Sequence, residues 1–199
     1  MTLAPIGPNA AHLVVDMQRI FAERTEWYSP TMADVLPAIL RLASARPRET
    51  LYSRFTVPDH AGAATGRWKT YYQRWSMFTG ERMDPGLVDL VEPLKALALP
   101  GNVYDKPTYS LFETEPFVKR LAADGTDTII LTGVETDVCV LATLFAAVDR
   151  GFRVVAVSDA LTSSDEASHR SIMDILLPRM PEQVDIADAD EVLAAWATG

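Results

Sequence analysis

The stretch TIILTGVETDVCVLATLFAAVDR at residues 128–150, followed after Gly151 by FRVVAVS at 152–158, decides the fold. Residues 128–132 are apolar or β-branched throughout, which suits a strand covered on both faces. From 137 to 150 apolar residues recur three and four apart, the spacing of a helix that buries one side. Residues 153–158 form a second run of strand character, so the segment reads strand, helix, strand. In such a unit the two strands run parallel and the helix crosses right-handedly over one face.

The same alternation extends in both directions. Strand character recurs at 12–16, Thr50–Phe55, 102–105 and, more weakly, 183–186. Helical spacing appears at 33–45, 116–123, 165–176 and 189–195. No internal repeat or low-complexity tract interrupts the pattern. The expected architecture is α/β: a three-layer, doubly wound, mainly parallel six-stranded sheet with helices on both faces, as a single domain over residues 1–199. Ligands of such sheets bind in the crevice beyond the carboxyl ends of the strands.

Composition narrows the chemistry. The 199 residues can bury a sizeable core, and 18 Lys and Arg against 27 Asp and Glu leave a net charge of −9. That balance repels nucleic acid and anionic membranes, so neither is an expected partner. The opening MTLAPIGPNAAHLVVDMQ lacks a basic segment followed by an apolar one, and no apolar run is long enough to span a bilayer; a cytoplasmic location is expected. One cysteine supports neither an internal disulfide nor a multi-cysteine metal site.

Three residues follow strands. Asp16 ends LVVD, where it suits an acid or base at the crevice, although an aspartate there also caps turns. Lys106 ends NVYDK, and Pro107 holds it extended; a lysine at a strand end is more often a solvated charge. Cys139 falls in the first turn of the helix after residue 132, where free N–H groups favour a thiolate. Alone it reads more readily as a small packing residue beside Val140 and Leu141. Together the three place an acid, a base and a sulfur nucleophile at one edge of one sheet. Asp137 would raise the thiol pKa if it faced the sulfur, so it is expected to point elsewhere, with Thr136 or Asp137 capping the helix.

The segments LVVDMQ, DKPTYS and TGVETDVCV, in this order and spacing, resemble the isochorismatase-like cysteine hydrolases, the superfamily of nicotinamidase and N-carbamoylsarcosine amidase. The resemblance runs from about His12 to Val192. It implies a catalytic triad of Asp16, Lys106 and Cys139, a cis peptide at Val134–Glu135, and an oxyanion hole formed by the backbone N–H groups of Glu135 and Cys139. The implied reaction is C–N hydrolysis of a small amide, ureido or carbamoyl compound through a thioester, without a cofactor.

Departures from the family pattern matter as well. The metal cluster of nicotinamidases has no counterpart, because Asp59 and His60 are adjacent and no histidine follows before His169. No metal is expected, His60 reads as a surface or rim residue, and nicotinamide becomes a less favoured substrate. Isochorismatases proper generally lack the cysteine, and Glu135 stands where a small residue is usual. Asp159 reads as structural, His169 as a surface or core-edge residue, and His12 has no evident role.

The long connection at 57–85 carries RWKTYYQRW at 67–75 and is read either as a pocket lid or as the interface of a homo-oligomer. Helical spacing aligns Arg67, Tyr71 and Trp75 on one face and Trp68 with Tyr72 on the next. Arg54, Trp68, Tyr72, Tyr109 and Val134 are the expected substrate contacts, and a cationic, aromatic wall suits a planar or carboxylated amide. Two rivals keep the fold: a non-catalytic small-molecule binding protein, and an ether hydrolase using Asp16 alone.

Overall fold

The computed structural model describes residues 3–197. Its six strands are β1 (Ala10–Val15), β2 (Thr50–Phe55), β3 (Val103–Lys106), β4 (Thr128–Gly133), β5 (Arg153–Leu161) and β6 (Val184–Ala187). They form one sheet in the order β3-β2-β1-β4-β5-β6, with every neighbouring pair parallel. The sheet is therefore wholly parallel rather than mainly so. The winding reverses between β1 and β4, whose registered ends Val15 and Gly133 mark the switch point where a crevice opens.

The helices are α1 (Arg19–Ala22), α2 (Met32–Ala45), α3 (Trp68–Arg74), α4 (Glu92–Leu97), α5 (Glu115–Ala123), α6 (Leu141–Val148), α7 (Glu166–Arg170) and α8 (Ala189–Ala197). Alternation along the strands sorts the core into two layers. Val14, Ile130, Val155 and Val157 face α2 and α8, where Ile39, Leu42, Val192 and Trp196 meet them. Leu13, Val15, Ile129, Leu131, Val154 and Ala156 face the other way, against Phe117 and Leu121 of α5 and Leu144 of α6. The central strands are thus apolar at nearly every position because each face meets a helix layer. Helix α2 shows the matching local logic: Met32, Val35, Ala38, Ile39, Leu42 and Ala43 form one buried stripe. Burying each large aliphatic side chain contributes roughly 1.5–3 kcal/mol.

Several boundaries differ from expectation, and the largest differences lie at the crevice. β1 stops at Val15, and Asp16 takes a φ of 50°, a left-handed conformation that bends the chain out of the strand. The helix expected over 137–150 begins as a π turn at Thr136–Val140 and becomes α-helical only from Leu141. The one expected over 165–176 is likewise α7 followed by a π turn at Ser171–Leu176. Strand β5 runs three residues past 158, with a register shift against β4. The connection at 57–85 folds around α3, flanked by 3-10 turns at Ala61–Ala63 and Ser76–Phe78. No helix among the described residues is long and apolar enough to cross a membrane.

Candidate active site

Asp16 leaves β1 with its backbone N–H donating to Ser53 Oγ at 3.1 Å. Ser53 Oγ in turn donates to Asp16 Oδ1 at 2.6 Å, which fixes the carboxylate. Lys106 lies at the end of β3, two strands away, a separation of about 10 Å across a sheet. Its extended side chain bridges that gap by passing over the Phe55 ring, with Nζ 5.1 Å from the centroid. Nζ then donates to Asp16 Oδ2 at 2.7 Å and to the Thr108 carbonyl at 3.2 Å. Both charged side chains are 0% exposed, and the other ion pairs among the described residues all keep exposed atoms.

Cys139 sits on the π turn, 7% exposed. The turn is clasped by the loop that follows β5. Thr136 N–H donates to the Thr162 carbonyl, Ser163 Oγ to Asp137 Oδ1, and Ser164 N–H to Glu135 Oε1. Asp137 therefore points at Ser163, while Thr136 pairs with His169 Nδ1, and neither side chain caps the turn. The Val134–Glu135 peptide is cis. The Glu135 carbonyl accepts from the amides of Val138 and Val140, straddling the amide of Cys139.

Burial, reinforced by the Asp16 carboxylate, pushes the Cys139 thiol well above its usual pKa, with Lys106 acting in the opposite direction. This corrects the expectation of a helix-activated thiolate, because enclosure and a facing carboxylate outweigh the few free N–H groups of the turn. Burial works to lower the Lys106 pKa, but Asp16 and Cys139 outweigh it and hold the ammonium above its usual range. The thiol is thus held neutral and the Lys106 ammonium charged, with the Asp16 carboxyl group between them. A carboxylate beside a thiol is an arrangement that can accept the thiol proton.

A cavity of about 360 Å³ opens at Cys139, lined by Phe21, Glu26, Trp27, Phe55, Tyr71, Trp75, Tyr109, Glu135, Val138 and Ser164. Of the five residues expected to contact substrate, Tyr109 lines it and four do not. Arg54 projects from the opposite face of β2 to Ser53 and Phe55, where it pairs with Asp105 and Asp89. Trp68 and Tyr72 pack behind the wall and line a separate recess with Pro58 and Pro107. Tyr72 is buried, and its hydroxyl has no hydrogen-bond partner among the described residues. Val134 is fully buried in the core beside α2. Arg67 is exposed and outside the cavity, so the wall carries carboxylates rather than guanidinium groups.

Several contributors escaped the sequence reading. Ser53 is hidden inside a strand pattern, and its significance depends on facing Asp16 across the sheet. Buried Gln18 accepts from Phe55 N–H and donates to the Phe55 and Val88 carbonyls, setting the ring that Lys106 crosses. Ser163 and Ser164 offered only a polar pair after a strand. Asp159 Oδ1 accepts from Ala189 N–H at the start of α8, a structural task. His60 is exposed, and among the described residues no group of three or more His, Cys, Asp or Glu could hold a metal.

A model of the isochorismatase domain matches residues 10–188. Nicotinamidase 3 from Arabidopsis thaliana is 27% identical over 174 residues, covering 85% of this chain and 81% of that one. Probable hydrolase YcaC from Escherichia coli is 35% identical over a shorter stretch of 94 residues, 44% of this chain and 42% of its own length. The crystal structure of a cysteine hydrolase from Pseudomonas syringae pv. phaseolicola superposes with a TM-score of 0.82 at 29% identity, covering 100% of this chain and 97% of the other. With its wholly parallel sheet and its crevice between β1 and β4, the chain belongs to the isochorismatase family of hydrolases.

Proposed function

We propose that this hydrolase cleaves the C–N bond of a small carboxamide, ureido or carbamoyl compound through a thioester on Cys139. The observation that carries the reading is the Asp16–Lys106 pair, fully buried beside the only cysteine at the cavity floor. Taking two charges out of water costs several kcal/mol each, and such pairs are often no better for stability than apolar replacements. A pair kept in that position beside a thiol is accounted for by chemistry.

In this mechanism Asp16 accepts the Cys139 proton as the sulfur attacks the carbonyl carbon. Lys106, paired with Asp16 at 2.7 Å, offsets the charge that develops as the proton moves. The backbone N–H groups of Glu135 and Cys139 are assigned to the oxyanion, a contribution worth roughly 100- to 1000-fold in rate per donor in comparable sites. The C–N bond breaks as protonated Asp16 delivers its proton to the departing nitrogen, leaving an acyl–sulfur bond. Asp16 then takes a proton from water, the hydroxyl attacks the thioester, and the acid product leaves with the thiol restored. Phe55, Tyr71, Trp75 and Tyr109 are assigned to holding the acyl group.

The test is ammonia release from a panel of small amides, combined with intact-protein mass spectrometry. Turnover is expected to vanish in Cys139→Ala, and the wild-type protein is expected to carry an acyl adduct on Cys139 when quenched during turnover. Undiminished turnover by Cys139→Ala would remove the mechanism.

A further inference from the structure

We propose, building on the hydrolase reading above, that the cavity selects substrates bearing a fixed positive charge next to the scissile amide. The side chains that line it include two carboxylates, Glu26 and Glu135, and no lysine, arginine or histidine. Neither carboxylate belongs to an ion pair among the described residues. Glu135 is oriented by the Ser164 N–H, a neutral donor that leaves its charge in place. The buried charges Asp16 and Lys106, which do not line the cavity, cancel each other at 2.7 Å. The unbalanced field inside the cavity is therefore negative.

The wall between those carboxylates is aromatic. Trp27 and Tyr71 lie with ring centroids 6.0 Å apart, and Trp27 and Trp75 meet edge to face at the same separation. Indole and phenol faces attract cations, most strongly when the cation has shed its water. Arg74 already stacks over Trp75 at 5.0 Å, but it is exposed on α3 and does not line the cavity. The cationic side chains expected at this wall, Arg54 and Arg67, lie elsewhere, which removes the partner that a carboxylated amide would need. The net charge of −9 adds long-range attraction for a cation.

A matched pair of probes separates charge from shape: trimethylammonioacetamide and its neutral isostere 3,3-dimethylbutanamide, with succinamate as the anion. Calorimetry on Cys139→Ala protein is expected to show the cation binding at least about tenfold tighter than the isostere, with succinamate weaker than both. Glu26→Gln and Glu135→Gln, each added to that background, are expected to lower the preference about threefold or more, as is added salt. Glu26 is exposed at the rim, so its replacement leaves the fold intact and a lowered preference there reports the lost charge alone. Equal affinities for cation and isostere, failure of both to bind, or a preference that survives both substitutions would overturn the proposal. Ammonia release by the wild-type protein from the same probes judges the hydrolase reading separately. Cation-selective binding without release removes that reading and keeps this one, whereas release without charge preference does the reverse.

Discussion

Lys106 Nζ reaches across β2 to within 2.7 Å of Asp16 Oδ2, and neither side chain is exposed. Removing one partner strands the other charge in the interior. Lys106→Met is accordingly expected to cost about 3–5 kcal/mol, while the double variant Asp16→Asn/Lys106→Met recovers much of that loss. Denaturant unfolding of the four proteins in a cycle measures the coupling. Additive losses would show that the pair is not the buried unit described above. Turnover is expected to fall by four orders of magnitude or more in every variant lacking Asp16, on the scale of about 10⁴–10⁶ lost when one member of a catalytic set is removed.

The thiol offers a second test. Burial and the Asp16 carboxylate both raise the Cys139 pKa, while Lys106 lowers it. Asp16→Asn should therefore move the thiol pKa down, and Lys106→Met should move it up. Iodoacetamide alkylation rates against pH read both directions. Faster alkylation in Asp16→Asn together with lost turnover identifies Asp16 as a base rather than a mere source of charge. Slower alkylation in that variant would contradict the electrostatic assignment.

His12 gives a prediction about stability. It is fully buried between Thr50 Oγ1 and Thr132 Oγ1, and burial lowers its pKa from 6.5 to about 3. Between those values the unfolded chain binds one more proton than the folded one, so stability rises with pH across that window. The His12 contribution is complete above pH 6.5 and declines on acidification by about 1.4 kcal/mol per pH unit. His12→Gln cannot take up that proton. Its stability, measured from pH 7 down to 4, is expected to fall less steeply than wild type, and parallel slopes would rule out the buried neutral histidine as the cause.

Gly133 closes β4 with a φ of +108°, and a Cβ there would stand 2.1 Å from the Val15 carbonyl oxygen. That oxygen accepts from Val134 N–H at the switch point, so neither strand can move aside independently. Gly133→Ala is expected to cost more than about 4 kcal/mol, the range reserved for severe steric or buried-polar defects. Gly125→Ala is the control, since it shares a positive φ but has open space around its Cβ position. It should lose only about 1 kcal/mol from backbone strain. Thermal midpoints of the two variants decide the matter, and similar losses would mean that the close approach is relieved elsewhere.

Much of the fold was legible because it rests on local periodicity. Residues 128–132 and 153–158 are apolar at successive positions, which a strand needs only when helices cover both its faces, and both became central strands. Local periodicity also placed Asp16, Lys106 and Cys139 near the carboxyl ends of strands, since a strand end is marked by where its apolar run stops. The π turn at Thr136–Val140 was not legible, because the residues that clasp it, Thr162, Ser163 and Ser164, lie 26 to 29 residues away in the chain.

The sequence by itself determined the layered α/β architecture and the set of chemically capable residues at one edge, because both follow from spacing along the chain. Only the tertiary structure decided which side chains meet. A strand residue faces one side or the other by its parity within the final register, and that parity sends Ser53 and Phe55 to the crevice while turning Arg54 away to Asp105. The same holds for α3, where the packing of the aromatic ridge put Tyr71 and Trp75 into the cavity and Trp68 and Tyr72 behind it. The charge of the cavity, carried by Glu26 and Glu135, was settled at that level too, since electrostatics act through space and not along the chain.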